Sequence, residues 1–233
     1  LFPYTTLFRS PAGTPEAMEL IQRAKAEGQD IYCETCPHYL FLTEEKIKEL
    51  GPYAKGNPPL RDHARMEALW KYINNGLVDY IGSDHGPFLV SEKDSGLEDI
   101  FKAAAGPAAI ELTLPLMLTA VRDGKLTLKR MVELLSENAA RIFGLIPEKN
   151  GLRVGSDADI VVVDLEHEFV VDNKDLVTQS RDTTPMYNGF RLIGKPIHTV
   201  VRGRVVMRDR MIDETAHRSE EHTSELQSPS WIS

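Results

Sequence analysis

Residues 78–88 decide the fold of this chain, and they read VDYIGSDHGPF. The first part of the run is apolar apart from Asp79, and it breaks off at Asp84, His85 and a Gly-Pro turn. An apolar strand that follows an amphipathic helix is typical of a buried parallel strand in an α/β fold. In barrels built from such strands the active site lies where the strands end. We therefore expect chemistry at Asp84 and not at Asp79.

Helices and strands alternate around this stretch. A helix is predicted to begin at Thr14, which supplies a capping hydroxyl, and to end at Gly28. A strand is predicted over 31–35, and a second helix begins at Asp62 and ends near Gly76. Short links between such elements indicate parallel βα units. The long connection 36–60 is expected to form one wall of a substrate pocket.

The predicted secondary structure changes near residue 147, from helices to short strands. Before that point we predict helices over 127–135, capped by Thr127, and over 137–143, capped by Ser136. From Gly151 onward, β-rich runs at 160–163, 169–171, 199–201 and 205–207 alternate with turns, and 202–204 suits a tight hairpin. These patterns predict a barrel portion over 11–147 and part of a small β-sandwich over 148–213.

Composition narrows the classes of function. The chain has 233 residues and a formal net charge of −8, which argues against a nucleic-acid-binding surface. This charge is more compatible with a small soluble molecule as the binding partner than with a nucleic acid. No apolar run approaches the roughly 20 residues that span a bilayer, so no membrane partner is expected. Only Cys33 and Cys36 are present, which excludes a disulfide framework and favours a reducing compartment, the cytoplasm.

Three motifs together resemble one enzyme family. They are GSDHGPF at 82–88, ETCPHYL at 34–40 and PPLR at 58–61. In this order they are similar to the C-terminal half of cyclic amidohydrolases of the dihydropyrimidinase, hydantoinase, allantoinase and dihydroorotase group, and the likeness extends from about Thr14 to Asp213. The resemblance implies an α/β fold: the C-terminal part of a metal-dependent (β/α)8 TIM barrel plus part of a small β-sandwich domain.

The two ends of the chain do not share this resemblance. Residues 1–10 and 218–233 resemble translated sequencing adapters, and we exclude them from the fold. The remaining sequence is expected to begin in the middle of a protein.

The resemblance also implies a metal centre. The family holds two zinc ions with a His-x-His, a carboxylated lysine, single histidines and a final aspartate, and Asp84 occupies the place of that aspartate. It is implied to be a metal ligand and a catalytic group that carries a proton from metal-bound hydroxide to the leaving nitrogen. An acid in a turn is the alternative interpretation of Asp84. The other ligands are absent here, so this polypeptide alone is expected to be inactive.

Two histidines and two cysteines lie in or beside these motifs. His85 is expected to point away from Asp84 and to form hydrogen bonds in a second shell around the metal. His38 is interpreted as a histidine at the rim of the barrel. Cys33 and Cys36 are interpreted as structural, because a single Cys-x-x-Cys pair is a weak metal or redox signal.

Asn57 and Phe88 are implied to be substrate-binding residues. Asn57 lies where dihydroorotases commonly carry asparagine. Phe88 stands where they carry a histidine, four residues after the aspartate. Phe88 thus disfavours dihydroorotase, while Asn57 mildly favours it.

The predicted function is hydrolysis of a small-molecule cyclic amide by a homo-oligomeric parent protein. A dihydropyrimidinase or hydantoinase activity is preferred, and allantoinase or dihydroorotase is the alternative. A non-catalytic assembly protein that keeps the fold is the alternative from another class.

Overall fold

The structure of the chain is a computed structural model that describes residues 11–108, 110–209 and 211–213. Both adapter-like segments lie outside the described residues. The helices are α1 (Pro15–Ala26), α2 (Pro37–Phe41), α3 (Glu45–Leu50), α4 (His63–Asn74), α5 (Val90–Asp94), α6 (Thr113–Arg122), α7 (Leu128–Val132) and α8 (Asn138–Ile142). The strands are β1 (Glu34–Thr35), β2 (Tyr80–Ile81), β3 (Ile160–Val170), β4 (Arg191–Val201), β5 (Arg204–Arg208) and β6 (Met211–Ile212).

The two longest helices of the N-terminal region begin where the sequence predicts. The Thr14 side chain accepts a hydrogen bond from the backbone of Ala17 at 3.2 Å, which caps α1. Asp62 caps α4 in the same way through the backbone of Arg65 at 3.0 Å. No helix in the described part of the chain is long and apolar enough to cross a membrane.

A short parallel pair of strands forms the centre of this region. β1 and β2 pair in parallel with Glu34 opposite Tyr80 and Thr35 opposite Ile81. The predicted parallel βα arrangement is confirmed, although each strand has only two residues. On the other edge of β1, the backbone of Ala12 donates to the Glu34 carbonyl at 2.8 Å.

Asp79 ties the amino ends of these elements together. Its carboxylate accepts hydrogen bonds from the backbone of Cys33 at 2.6 Å and from Lys25 Nζ at 2.5 Å. Lys25 also donates to the Leu77 carbonyl at 3.0 Å. Because α1, β1 and the approach to β2 meet at this one carboxylate, Asp79 has a structural role at the end of the strands opposite Asp84.

The helical region before residue 147 differs from the prediction in one respect. Thr127 caps α7 as expected, by accepting from the backbone of Arg130 at 3.1 Å. The predicted cap at Ser136 is wrong, because a π-helical turn over Glu133–Glu137 joins α7 to α8 without a break. A π turn absorbs one extra residue while the chain stays helical, so no capping side chain is required there.

The β-rich region forms one sheet in the order β3-β4-β5-β6. The separate predicted runs at 160–163 and 169–171 are one continuous strand, β3, and β4 begins eight residues earlier than the predicted run at 199. The predicted hairpin at 202–204 is confirmed, since Arg202 and Gly203 both have positive φ, 49° and 79°. Positive φ at both central residues is the geometry of the tight hairpin turn that matches strand twist.

The packing divides the chain into two compact units. Among the described residues, one unit comprises those up to Ile146 together with Asp164–Lys195, and the other comprises Pro147–Val163 together with those from Pro196. Leu116 and Tyr187 are among the fully buried side chains of the first unit. In the second, Lys149 forms ion pairs with Asp157 and Asp159. The domain boundary between 147 and 148 stays a prediction.

Lys93 holds the loops that follow β2 in place. Its side chain is fully buried, and Nζ donates to the carbonyls of Ala104 at 3.0 Å and Gly106 at 2.9 Å. Lys55, from the long connection after β1, donates to the Ala103 carbonyl at 2.7 Å. Burial, with a smaller effect from the charge of Lys55, lowers the pKa of Lys93 to about 8.

This burial predicts a distinctive dependence of stability on pH. In the unfolded chain Lys93 keeps a pKa near 10.5, so between about pH 8 and 10.5 the unfolded state binds more protons than the folded state. The free energy of unfolding should therefore rise with pH in that window, by up to about 3 kcal/mol relative to Lys93→Met. Urea unfolding of both proteins from pH 7 to 10.5 measures the difference, and parallel pH profiles would contradict it.

The exposed strand residues of the second unit predict self-association of the chain. β6 lies at one edge of the sheet with Met211 and Ile212 exposed, and exposed apolar edge strands pair with other chains. The double variant Met211→Lys with Ile212→Lys should shift the protein from aggregates towards monomer in size-exclusion chromatography with light scattering. Leu152→Lys is the matched control, because Leu152 is exposed but lies outside the strands. A monodisperse unmodified chain would refute the prediction.

Candidate functional site

Asp84 lies three residues beyond β2, at the carboxyl end of the parallel pair. Its φ of 47° is in the left-handed region, so the strand cannot continue through it. The side chain is 35% exposed, and burial of the remainder raises the pKa of its carboxyl group. Within the described part of the chain, no hydrogen-bond donor engages this carboxylate. The group is therefore available to a ligand and has an increased affinity for a proton.

Glu34 brings a second carboxyl group close to Asp84. The sequence alone did not indicate a role for this residue. Its carboxylate accepts a hydrogen bond from the hydroxyl of Tyr80, the residue paired with it across the sheet, at 3.1 Å. The other carboxylate oxygen lies so close to Gly82 that any side-chain carbon there would collide with it. Burial raises the pKa of Glu34, the Tyr80 hydroxyl opposes that shift, and the charge of Asp84 adds to it.

His38 is not the rim histidine that the sequence suggested. It lies in α2, immediately after β1, and is only 2% exposed. Nε2 stands 3.8 Å from Asp84 Oδ2, and among the described residues neither ring nitrogen has a hydrogen-bond partner. Burial lowers the pKa of His38 to about 4, so the imidazole is neutral at pH 7. Leaving a buried donor unpaired costs about 1–3 kcal/mol, so this position calls for a functional explanation.

His85 turns towards the backbone that follows the β2 loop. Its Nδ1 accepts a long hydrogen bond from the Ile110 backbone at 3.4 Å, and its own backbone donates to the Ser83 hydroxyl at 3.2 Å. Burial lowers the pKa of the half-buried ring. Its role as a second-shell residue stays a prediction.

Phe88 and Asn57 have different environments. The Phe88 ring lies over Gly86, where a side-chain carbon would collide with it, and Lys93 Nζ is 5.3 Å from the ring centroid. The ring also lies near Gly106, whose own neighbours include the Asp84 carbonyl. Asn57 is exposed in the long connection. The ring therefore lies near the backbone of Asp84, while binding of substrate by either residue stays a prediction.

The two cysteines are buried and are not joined by a disulfide bond. Cys33 Sγ approaches Met18 Sδ at 3.5 Å. Burial raises the pKa of Cys33 to about 12 and that of Cys36 further still, so both remain thiols at neutral pH. Protonated thiols are poor metal ligands and poor nucleophiles, which supports the structural interpretation.

The described residues supply only part of a zinc site. Among them no group of three or more His, Cys, Asp or Glu side chains is placed to hold a metal ion. The Asp84 carboxylate fits as one ligand, since it is partly exposed and has no donor. A complete zinc centre needs three protein ligands or more, so further ligands would have to come from elsewhere.

Comparison with known proteins places this geometry in a family. Residues 15–206 match the model of the amidohydrolase family. The chain is 42% identical over 193 residues to an L-hydantoinase of Paenarthrobacter aurescens and 38% identical over 200 residues to a dihydroorotase of Acetivibrio thermocellus. These alignments cover 82% and 85% of this chain but 42% and 45% of the two relatives, so the chain spans about half their length.

The solved structures agree with this result. The chain superposes on the L-hydantoinase (dihydropyrimidinase) from Arthrobacter aurescens with a TM-score of 0.80 and 39% identity, covering 89% of this chain and 45% of that one. The hydantoinases combine a TIM barrel with a β-sandwich domain, so the predicted fold class is confirmed. By sequence and by structure, the chain belongs to the amidohydrolase family.

Proposed function

We propose that this chain is part of a metal-dependent hydrolase that opens the C–N bond of a cyclic amide, with Asp84 as a metal ligand and the catalytic proton carrier. The observation that carries the proposal is the position of Asp84 beyond the carboxyl end of a parallel strand, partly exposed and without a described donor. The family match and the hydantoinase and dihydroorotase relatives support the same chemistry.

The chemistry assigned to Asp84 is a proton transfer. Hydrolysis adds water to the ring carbonyl carbon, breaks the C–N bond and leaves a proton to be delivered to the departing nitrogen. A carboxylate accepts the water's proton and later donates it, and a pKa raised by burial makes it a better base. Zinc, when bound, supplies the Lewis acidity that makes water a nucleophile at neutral pH.

Dihydropyrimidine or hydantoin rings are the preferred substrates. Phe88 supports this choice, because its apolar ring beside Asp84 offers no charge to bind the carboxylate of dihydroorotate. Asn57 gives weaker support to dihydroorotate, and allantoin remains an alternative. The complete enzyme is proposed to bind two zinc ions with a carboxylated lysine, to form a homo-oligomer and to act in the cytoplasm.

A non-catalytic assembly protein is the second candidate. The genomic sequence upstream of residue 11 discriminates between the two. A His-x-His and a lysine at the family's ligand positions support the enzyme, whereas their absence supports the assembly protein.

The direct test uses the protein encoded by the complete gene, loaded with zinc. Wild type and Asp84→Asn are assayed for ring opening of dihydrouracil, hydantoin, allantoin and dihydroorotate, and bound zinc is measured by mass spectrometry. Because Asn is neither a base nor a good zinc ligand, kcat should fall by about 10³-fold or more. Bound zinc should fall as well.

Asp79→Asn is the matched control, since the same change is made at the opposite end of the same strand. It removes contacts to Lys25 and Cys33, so it should lower the melting temperature. The kcat of the folded protein should stay within about twofold of wild type, since Asp79 touches no reacting group. Turnover that survives in Asp84→Asn, or a wild type that opens none of the four rings, would refute the proposal.

A further inference from the structure

His38 and Asp84 are placed together by two independent backbone features. His38 follows β1 in α2, and Asp84 follows β2, so the parallel pairing of the strands brings both to the same edge. Asp84, three residues beyond β2, has a left-handed backbone, and its Oδ2 lies 3.8 Å from His38 Nε2. A separation this small between residues 46 positions apart in sequence depends on the register of the two strands.

The hydrogen-bonding needs of the two side chains are complementary. Neither nitrogen of His38 has a partner among the described residues, although the side chain is almost completely buried. No donor within the described ranges reaches the Asp84 carboxylate. A neutral imidazole has one N–H donor and a carboxylate has only acceptors. Each group therefore offers what the other lacks.

The gap between them exceeds hydrogen-bond length by less than 1 Å, since such bonds span about 2.7–3.2 Å. A cavity of about 10 Å³ adjoins His38, with Leu60, Pro107 and Met186 among its lining residues. In unliganded sites, catalytic hydrogen bonds are often long and shorten only when the site is loaded.

We propose that His38 is a positioning residue for Asp84: its Nε2–H donates to Asp84 Oδ2 and so leaves the other carboxylate oxygen directed at the reacting groups. This inference rests on the catalytic role proposed for Asp84. His38 itself touches no substrate and transfers no proton.

The test compares two substitutions at position 38 in the zinc-loaded protein encoded by the complete gene. His38→Leu removes the donor, and His38→Gln retains an N–H near the position of Nε2. Losing the orienting partner of a metal-ligating group typically costs 10–100-fold in affinity or activity, so His38→Leu should lower kcat by about that factor. KM should change by less than about twofold, and His38→Gln should recover most of the lost rate.

Two controls separate positioning from simple loss of packing. Tyr187→Phe removes another fully buried polar atom that lacks a partner, and it should leave kcat unchanged. In the Asp84→Asn background, adding His38→Leu should cause no further loss of rate, because His38 acts only through Asp84. Full activity of His38→Leu, an equal loss in both position 38 variants or an additive double variant would each overturn the proposal.

A crystal structure of the zinc-loaded wild type gives a readout that does not depend on turnover. His38 Nε2 and an Asp84 carboxylate oxygen should lie within about 3.2 Å. A ring that stays beyond 3.5 Å, or that is bonded elsewhere, overturns the inference even if the enzyme is active. A wild type inactive on every cyclic amide refutes the proposed function instead, while the measured distance still decides whether the two side chains pair.

Discussion

The parallel register of β1 and β2 is the constraint on which the site depends. Only two residues of each strand are paired, Glu34 with Tyr80 and Thr35 with Ile81. A shift by one residue would turn each strand's side chains to the opposite face, and Glu34 would lose the Tyr80 hydroxyl. Asp79 adds stability at the amino end of the pair, because its carboxylate accepts hydrogen bonds from Lys25 and from the backbone of Cys33, just before β1. The structural contacts of Asp79 and the partly exposed carboxylate of Asp84 thus lie on opposite sides of one short strand.

Burial shifts the pKa values of the ionisable groups at the carboxyl end of the strands. It raises the pKa values of Glu34 and Asp84 and lowers that of His38, so each group moves towards its neutral form. A carboxyl group with a raised pKa beside a buried imidazole supports the proton-transfer role proposed for Asp84.

Local sequence patterns predicted the elements that are stabilised by interactions between residues close together in the sequence. Capping at Thr14 and Asp62, the parallel strands and the position of Asp84 all follow from patterns within a few residues. The burial of His38 could not be predicted in this way. It depends on how α2 packs after β1, and in the sequence a histidine after a strand fits an exposed rim equally well.

Glu34 and Ser136 show two further limits of prediction from the sequence. The proximity of Glu34 to Asp84 depends on strand register, which a strand of two residues cannot specify through an alternating pattern. Serine is a favoured helix-capping residue, yet Ser136 lies within a π-helical turn and the helix continues past it. Propensity describes what a residue favours in isolation, and here the continuity of the surrounding helix outweighs it.

The contact between Glu34 and Gly82 makes the residue type at one position depend on the residue type at the other. The carboxylate occupies the volume where any other residue at 82 would place its first side-chain carbon, so such a residue would force the Glu34 side chain to turn away. A relative with a larger residue at the equivalent of 82 must have shortened or redirected the side chain at 34. The two positions should therefore covary, with larger residues at 82 accompanied by a shorter or redirected side chain at 34.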